Sequence, residues 1–282
     1  MKAIAMALLA LLPAAGMAAP VSPAMVSPDF RLDGPLMQGG AVTGTAPAGT
    51  IALHLGEQAV PVDADGRFLI AFDRDAAPVA RLFARLADGR AIERQLTIMP
   101  RDWRIERVNA PLRPTRSTEA FLALRKPELE AIAAARATAT DAQGWRQRFI
   151  WPRTGRISGL FGSQRIYQGQ PGAYHGGVDV TGGTGAPVVA PADGVVILAA
   201  VDKPFTLEGH LLMIDHGHGL NSAFLHLSRI DVKPGDHVSR GQRIGAVGAT
   251  GRATGPHLHW GMKWHDARID PLLIAGPMPQ TE

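Results

Sequence analysis

The sequence predicts a mainly β protein, in two strand-rich blocks joined by a short helical linker. Three observations carry this expectation. Short apolar segments separated by Asp-Gly turns recur at roughly 8–12-residue spacing between Phe30 and Val108. From about Phe149 onward the chain is rich in glycine and strand-turn segments, with no long helical pattern. Helical texture is confined to the stretch between the two blocks. The boundaries that follow are a signal segment over 1–19, a small immunoglobulin-like β-sandwich over 28–108, a linker with short helices over 109–148, and a second β block over 149–275.

Met1 to Ala19 has the layout of a secretory signal. Lys2 supplies a positive start, and Ile4–Leu12 is an apolar run shorter than the roughly 20 residues a spanning helix needs. Gly16-Met17-Ala18 fits a small-x-small cleavage site, which favours a cut after Ala18. No later segment is long and apolar enough to span a membrane. The mature chain is therefore expected to be exported, to a periplasm, an extracellular space or a cell wall.

The 282 residues include no cysteine, which excludes disulfides, thiol catalysis and cysteine-ligated zinc. Any metal site must draw on His, Asp or Glu. A formal charge of +4 suits polyanionic surroundings. Nucleic acid is not indicated, because no Lys/Arg-rich block with interleaved aromatics occurs.

In the first block, Ile51–Leu55 and Arg67–Phe72 read as strands around the turn Asp63-Ala64-Asp65-Gly66. Leu82–Leu86 and Arg94–Ile98 repeat the pattern around Ala87-Asp88-Gly89. His54 reads as a structural or exposed histidine, and the block as a spacer or binding module. That character leaves room for a regulatory protein partner.

Two prolines punctuate the linker Asn109–Arg116. Ser117 or Thr118 caps a short helix running to Arg125. Pro127 then suits the first turn of a second helix, with Glu128 and Glu130 near its positive end and an Ala-rich stretch to Ala137.

The second block contains the chemistry. In Gly255-Pro256-His257-Leu258-His259-Trp260, strand alternation points both histidines to one face and Leu258 and Trp260 to the other. Upstream, His175-Gly176-Gly177-Val178-Asp179 sets an imidazole and a carboxylate at an even offset. His175, Asp179 and one histidine of the pair would give three N/O ligands, which suits one zinc ion with an open position for water. The other histidine, together with His226, could supply the hydrogen bonds that many zinc hydrolases take from a glutamate; no His-Glu-x-x-His occurs here.

His175-x-x-x-Asp179, His226-Leu227-Ser228 and Thr254-Gly255-Pro256-His257-Leu258-His259 together resemble the motifs of the lysostaphin-type (LytM-like) zinc metallopeptidases, which cut peptide cross-links in peptidoglycan. Phe161-Gly162, Asp193-Gly194-Val195-Val196 and Asp215-His216-Gly217 match as well, and the similarity runs from about Gly155 to Pro271. The resemblance implies an antiparallel sheet with a central groove and lipoyl-like hairpins. It implies zinc on His175, Asp179 and His259, with His226 and His257 as unligated catalytic histidines. It also implies peptidoglycan stem peptides as substrate. Leu220 and Phe224 stand where the family often has tyrosine, which bears on substrate contact and not on zinc.

Two other functions compete. A wall-binding regulatory module that activates another hydrolase would typically lack zinc ligands, and all of them are present. A lipoyl-like carrier would need a modified lysine at a hairpin tip, and the matching turn has none. His210, His237 and His265 read as surface or packing residues, and His216 and His218 as parts of a structural turn. Arg165 is a weaker candidate for a substrate carboxylate on the groove wall.

Overall fold

The computed structural model describes residues 29–112 and 118–279. The expected signal segment and residues 113–117 of the linker lie outside the described residues.

The N-terminal strands are β1 (Arg31–Asp33), β2 (Ala41–Thr45), β3 (Thr50–Leu55), β4 (Gln58–Ala59), β5 (Arg67–Ala71), β6 (Val79–Leu86), β7 (Ala91–Thr97) and β8 (Ile105–Val108). β1-β2-β5 form one antiparallel sheet and β4-β3-β6-β7 another. β6 alternates as a half-buried strand must: Leu82, Ala84 and Leu86 are buried, while Arg81, Phe83 and Arg85 face out. Val42, Phe68 and Ile70 of the other sheet are fully buried in the same core. The turn closes as its residues require, with the Gly66 amide donating to the Asp63 carbonyl.

β8 departs from the expected sandwich. It leaves these sheets and pairs in parallel with a strand of the second block, Gln164–Tyr167, with Ile105 opposite Gln164 and Val108 opposite Tyr167.

The two short helices expected in the linker are one helix, α1 (Glu119–Ala137), with Pro127 inside it. Thr118 is the cap, accepting the Phe121 amide at Oγ1. Tertiary anchoring carries the helix past the proline, which removes a hydrogen bond and crowds the preceding turn. Arg125 pairs with Glu128 at 2.5 Å and with Glu208 at 2.7 Å. Glu128 also accepts from the amide and hydroxyl of Thr206. The buried face of the helix, Ile132 and Ala135, packs on Leu211, Met213 and Ala223.

A 3-10 turn (Gly144–Arg146) leads into β9 (Ile157–Gly159), β10 (Gln164–Tyr167), β11 (Gln170–Pro171), β12 (Gly177–Thr181), β13 (Pro187–Val189) and β14 (Gly194–Ala199). Then come β15 (His210–Asp215), β16 (Leu220–Leu227), β17 (Arg229–Ile230), β18 (His237–Val238), β19 (Arg243–Ala246), β20 (His257–Trp264), β21 (Ala267–Ile269) and α2 (Pro271–Ala275). The main sheet runs β18-β14-β15-β16-β20-β12-β9, with β21 paired to β20, and every pair in it is antiparallel. β13-β19-β17 form a smaller antiparallel sheet. The core lies behind the main sheet, where Phe224, Leu258, Trp260 and Met262 are buried. Trp260 meets Trp151 edge-on at 5.7 Å and donates its indole N–H to Ser222.

The two strand-rich blocks are tied together by several contacts. Arg146 pairs with Asp63 and Asp65, and His218 bonds Asp63 at 2.8 Å. The Arg74 guanidinium donates to the Gly162 carbonyl, and the Arg268 amide to Asp73.

Candidate metal centre

β20 behaves as its alternation requires. Leu258 and Trp260 are fully buried, and His257 and His259 project from the opposite face. β12 pairs alongside with Asp179 directly opposite His259, so carboxylate and imidazole share that face. His175 lies just before β12 and arrives from a loop, not as a fellow strand residue.

Three atoms meet here. Asp179 Oδ1 is 2.9 Å from His259 Nδ1 and 3.1 Å from His175 Nε2, and the two nitrogens are 3.0 Å apart. Zinc contacts of about 2.0–2.2 Å place ligand atoms roughly 3 Å apart, so this triangle has the spacing for one small ion. His175 Nδ1 donates to the Leu160 carbonyl at 3.1 Å, which leaves Nε2 as the lone-pair edge facing the triangle. Two glycines make the approach feasible. A β-carbon on Gly159 would lie 2.3 Å from Asp179 Oδ2, and one on Gly177 would lie 2.8 Å from His259 Nε2.

His226 and His257 stand beside the triangle. Their rings are 5.0 Å apart, and His257 Nε2 is 3.8 Å from Asp179 Oδ1. Each is tied by Nδ1 to a backbone carbonyl: His257 to Gly255 and His226 to Thr250, both at 2.8 Å. Each therefore keeps Nε2 free. Leu225 opposes His259 on the neighbouring strand, so regular alternation would turn His226 away from that face. A left-handed backbone at His226, φ +64°, interrupts the alternation, and the β15–β16 register shifts nearby.

The charges suit a cation. Burial would raise the Asp179 carboxyl, but hydrogen bonds from His175 and His259 outweigh it and hold the group well below the usual carboxylate range. Burial works against the charged form of His175 too, and the Asp179 carboxylate overrides it, raising the imidazole. Burial pushes His226 and His259 down, toward the neutral form that can accept a proton or bind metal.

The remaining sequence candidates fall elsewhere. His216 is fully buried between the Asp193 carbonyl and the Ser222 hydroxyl, and His218 stacks on Trp145. His210 bonds the Ala200 carbonyl, His237 is exposed, and His265 packs on Trp264. Arg165 is the exception: it pairs with Glu106 at 2.8 Å, and both line an open cavity that also reaches His175 and Asp179. What sequence reading missed are the carbonyls of Leu160, Thr250 and Gly255, since any residue type can supply one. It also missed Glu208, which borders the site and takes its position from Arg125.

Two imidazoles and one carboxylate, with no thiolate and open space beside them, are a donor set that fits one zinc ion. Fold and site together define a β-sheet protein with a three-donor metal centre on an open groove. Residues 173–271 match Peptidase family M23, and this segment is a domain of that family. The chain is 43% identical over 136 residues to the peptidoglycan DD-endopeptidase ShyA of Vibrio cholerae, covering 48% of this chain and 31% of that protein. It is 35% identical over 125 residues to the DD-carboxypeptidase/endopeptidase Mpg of Neisseria meningitidis, covering 44% and 28% respectively. The chain thus spans less than a third of the length of either relative. A crystal structure of a putative peptidase M23 from Pseudomonas aeruginosa superposes with a TM-score of 0.63 at 28% identity, over 86% of this chain and 96% of that one.

Proposed function

We propose that this protein is an exported zinc endopeptidase that hydrolyses peptide cross-links of peptidoglycan. In this reading His175, Asp179 and His259 hold the metal, and His226 and His257 are the unligated catalytic histidines. One observation carries it: a three-atom donor triangle faced by two imidazoles whose Nδ1 atoms are both tied to backbone carbonyls. The relatives named as peptidoglycan DD-endopeptidase and DD-carboxypeptidase/endopeptidase support the substrate class.

Zinc at this site would polarise the scissile carbonyl and acidify a bound water. The chain supplies the rest. The tethers at Thr250 and Gly255 orient both rings with Nε2 toward the groove. His226, favoured in its neutral form by burial, accepts the proton of the attacking water and gives it to the departing amine nitrogen as the C–N bond breaks. His257, nearer the donor triangle, orients the attacking water at its Nε2. Asp179 and the Leu160 carbonyl hold His175 in place throughout.

The test is mass spectrometry of purified cross-linked muropeptide dimers incubated with the zinc-loaded protein, with His259→Ala as the blank. Monomers that appear only with the unmodified protein identify the bond from their masses. Dimers left intact by zinc-loaded protein would overturn the reading. We also place the protein in the periplasm or wall, with the N-terminal sandwich available for wall or protein contact.

A further inference from the structure

Beside the metal centre lies a cavity of about 290 Å³ that the proposed mechanism does not use. His259 forms part of its wall, and the same ring contributes Nδ1 to the donor triangle. The cavity is thus one imidazole ring away from the place where a scissile carbonyl would sit.

Its other walls carry an excess of positive charge. Arg136 comes from the last turn of α1, Lys263 from β20 and Arg268 from β21. The acid on the wall, Glu208, has both carboxylate oxygens engaged by Arg125. Asp266, at 3.6 Å from Lys263, is fully exposed to solvent. The Lys263 side chain is only 16% exposed. Burial, then the neighbouring Arg136 and Arg268 charges, push its ammonium below its ordinary value. Three cations converging on a half-enclosed space repel one another, and an anion between them relieves that repulsion.

A second observation points to a ligand. Asn221 lies opposite Lys263 on the adjacent strand, is 5% exposed and lines this cavity. Its side-chain carbonyl is buried with no hydrogen-bond partner among the described residues. Oxygen and nitrogen of an asparagine amide exchange by a simple flip, and the flipped amide presents an N–H donor at that point. A buried side-chain carbonyl without a partner is costly in a finished structure and useful in a binding pocket.

We propose that this cavity is a subsite for a carboxylate of the peptide substrate, on a residue flanking the scissile amide. The inference rests on the endopeptidase reading and deepens it. It selects cross-links in which the bridging amino acid keeps a free carboxylate, over neutral oligoglycine bridges. It also makes α1 a wall of the substrate groove and not only a connector. Arg268 can offer a planar pair of donors to a carboxylate, and its stacking on Tyr174 at 5.3 Å keeps that plane oriented.

The experiment compares three zinc-loaded full-length proteins: unmodified, Arg136→Gln and Lys263→Met. Each is given cross-linked dimers whose bridging diamino acid carries a free carboxylate, the same dimers with that carboxylate amidated, and oligoglycine-bridged dimers. Zinc content and circular dichroism are checked for each. The unmodified protein should favour the free acid by about ten- to a hundredfold in kcat/KM, mostly through KM. In both variants that preference should collapse, with zinc content and circular dichroism as in the unmodified protein. Arg136 lies on an exposed helix turn, so its variant tests the idea even if Lys263→Met folds poorly.

Equal cleavage of acid and amide, or undiminished preference in the variants, overturns the subsite and leaves the endopeptidase reading standing. If no dimer is cleaved, that reading fails, and calorimetry with the monomeric peptide decides the subsite separately. Acid-dependent binding that is lost in both variants sustains it, and binding indifferent to the carboxylate overturns it.

Discussion

Asp179 and His259 face each other across adjacent antiparallel strands, with Oδ1 of one 2.9 Å from Nδ1 of the other. Register between β12 and β20 therefore sets two of the three donor positions, and the backbone ladder between the strands holds them in place. Only His175 comes from outside that ladder. The division of roles around this pair can be checked one residue at a time.

Asp179→Ala and His259→Ala should each abolish zinc retention and hydrolysis together, measured as metal per chain by mass spectrometry beside turnover. His257→Ala should keep zinc and lose about 10²–10⁴-fold in kcat. A His257→Ala protein without metal, beside a His259→Ala protein that retained it, would reverse the two assignments.

At His226, side chain and backbone can be separated. Its φ of +64° is a conformation that asparagine tolerates and β-branched residues resist. His226→Asn should keep zinc and stay near the parent in urea unfolding. His226→Val should lose about 1–3 kcal/mol from backbone strain. Both should lose most turnover. Equal stability of the two would show that the left-handed backbone is not what holds this position.

Arg125 joins α1 to the segment bordering the metal centre, with its side chain 8% exposed between Glu128 and Glu208. Removing one partner of a buried ion pair leaves charge stranded. Arg125→Ala should therefore cost about 3–5 kcal/mol in denaturant unfolding. Because the Glu208 carbonyl accepts the His226 amide, the same variant should lower kcat with zinc content intact. Unchanged stability would mean the network is solvated in solution.

His216 carries a pH dependence. Full burial pushes its imidazole down to about 4 in the folded state. Between about pH 6.5 and that value the unfolded chain binds a proton that the folded chain refuses, so stability falls as pH drops through this window. The loss should approach about 3 kcal/mol by pH 4, and be absent above pH 7. Urea midpoints across this range test it, and His216→Gln should flatten the slope while lowering stability throughout. A parent midpoint constant from pH 7 to 5 would contradict the burial effect.

Much of this site is legible in the chain because strand alternation is a local rule. His257 and His259 share a face, as their spacing requires, and Leu82, Ala84 and Leu86 point inward for the same reason. The Asp63–Gly66 turn was readable from its own residues. What escaped the sequence depends on distant partners. Pro127 reads as a helix start until Arg125 is seen to reach Glu208, 83 residues away. β8 reads as a sandwich strand until its parallel partner β10 is found. His226 turns toward the site through one left-handed residue that no pattern of polarity marks. The basic cavity draws Arg136, Lys263 and Arg268 from three separate elements, so no short window of sequence contains it.

The Leu160 carbonyl that orients His175 lies upstream of the segment 173–271 matching the peptidase family. Trp151, which packs on Trp260, and Arg136 lie further upstream still. A graft cut at the family boundary and moved into another scaffold would carry every donor atom of the triangle but leave the His175 ring without its Nδ1 tether and the cavity short of a wall. Transplanting this centre intact requires the chain from α1 onward.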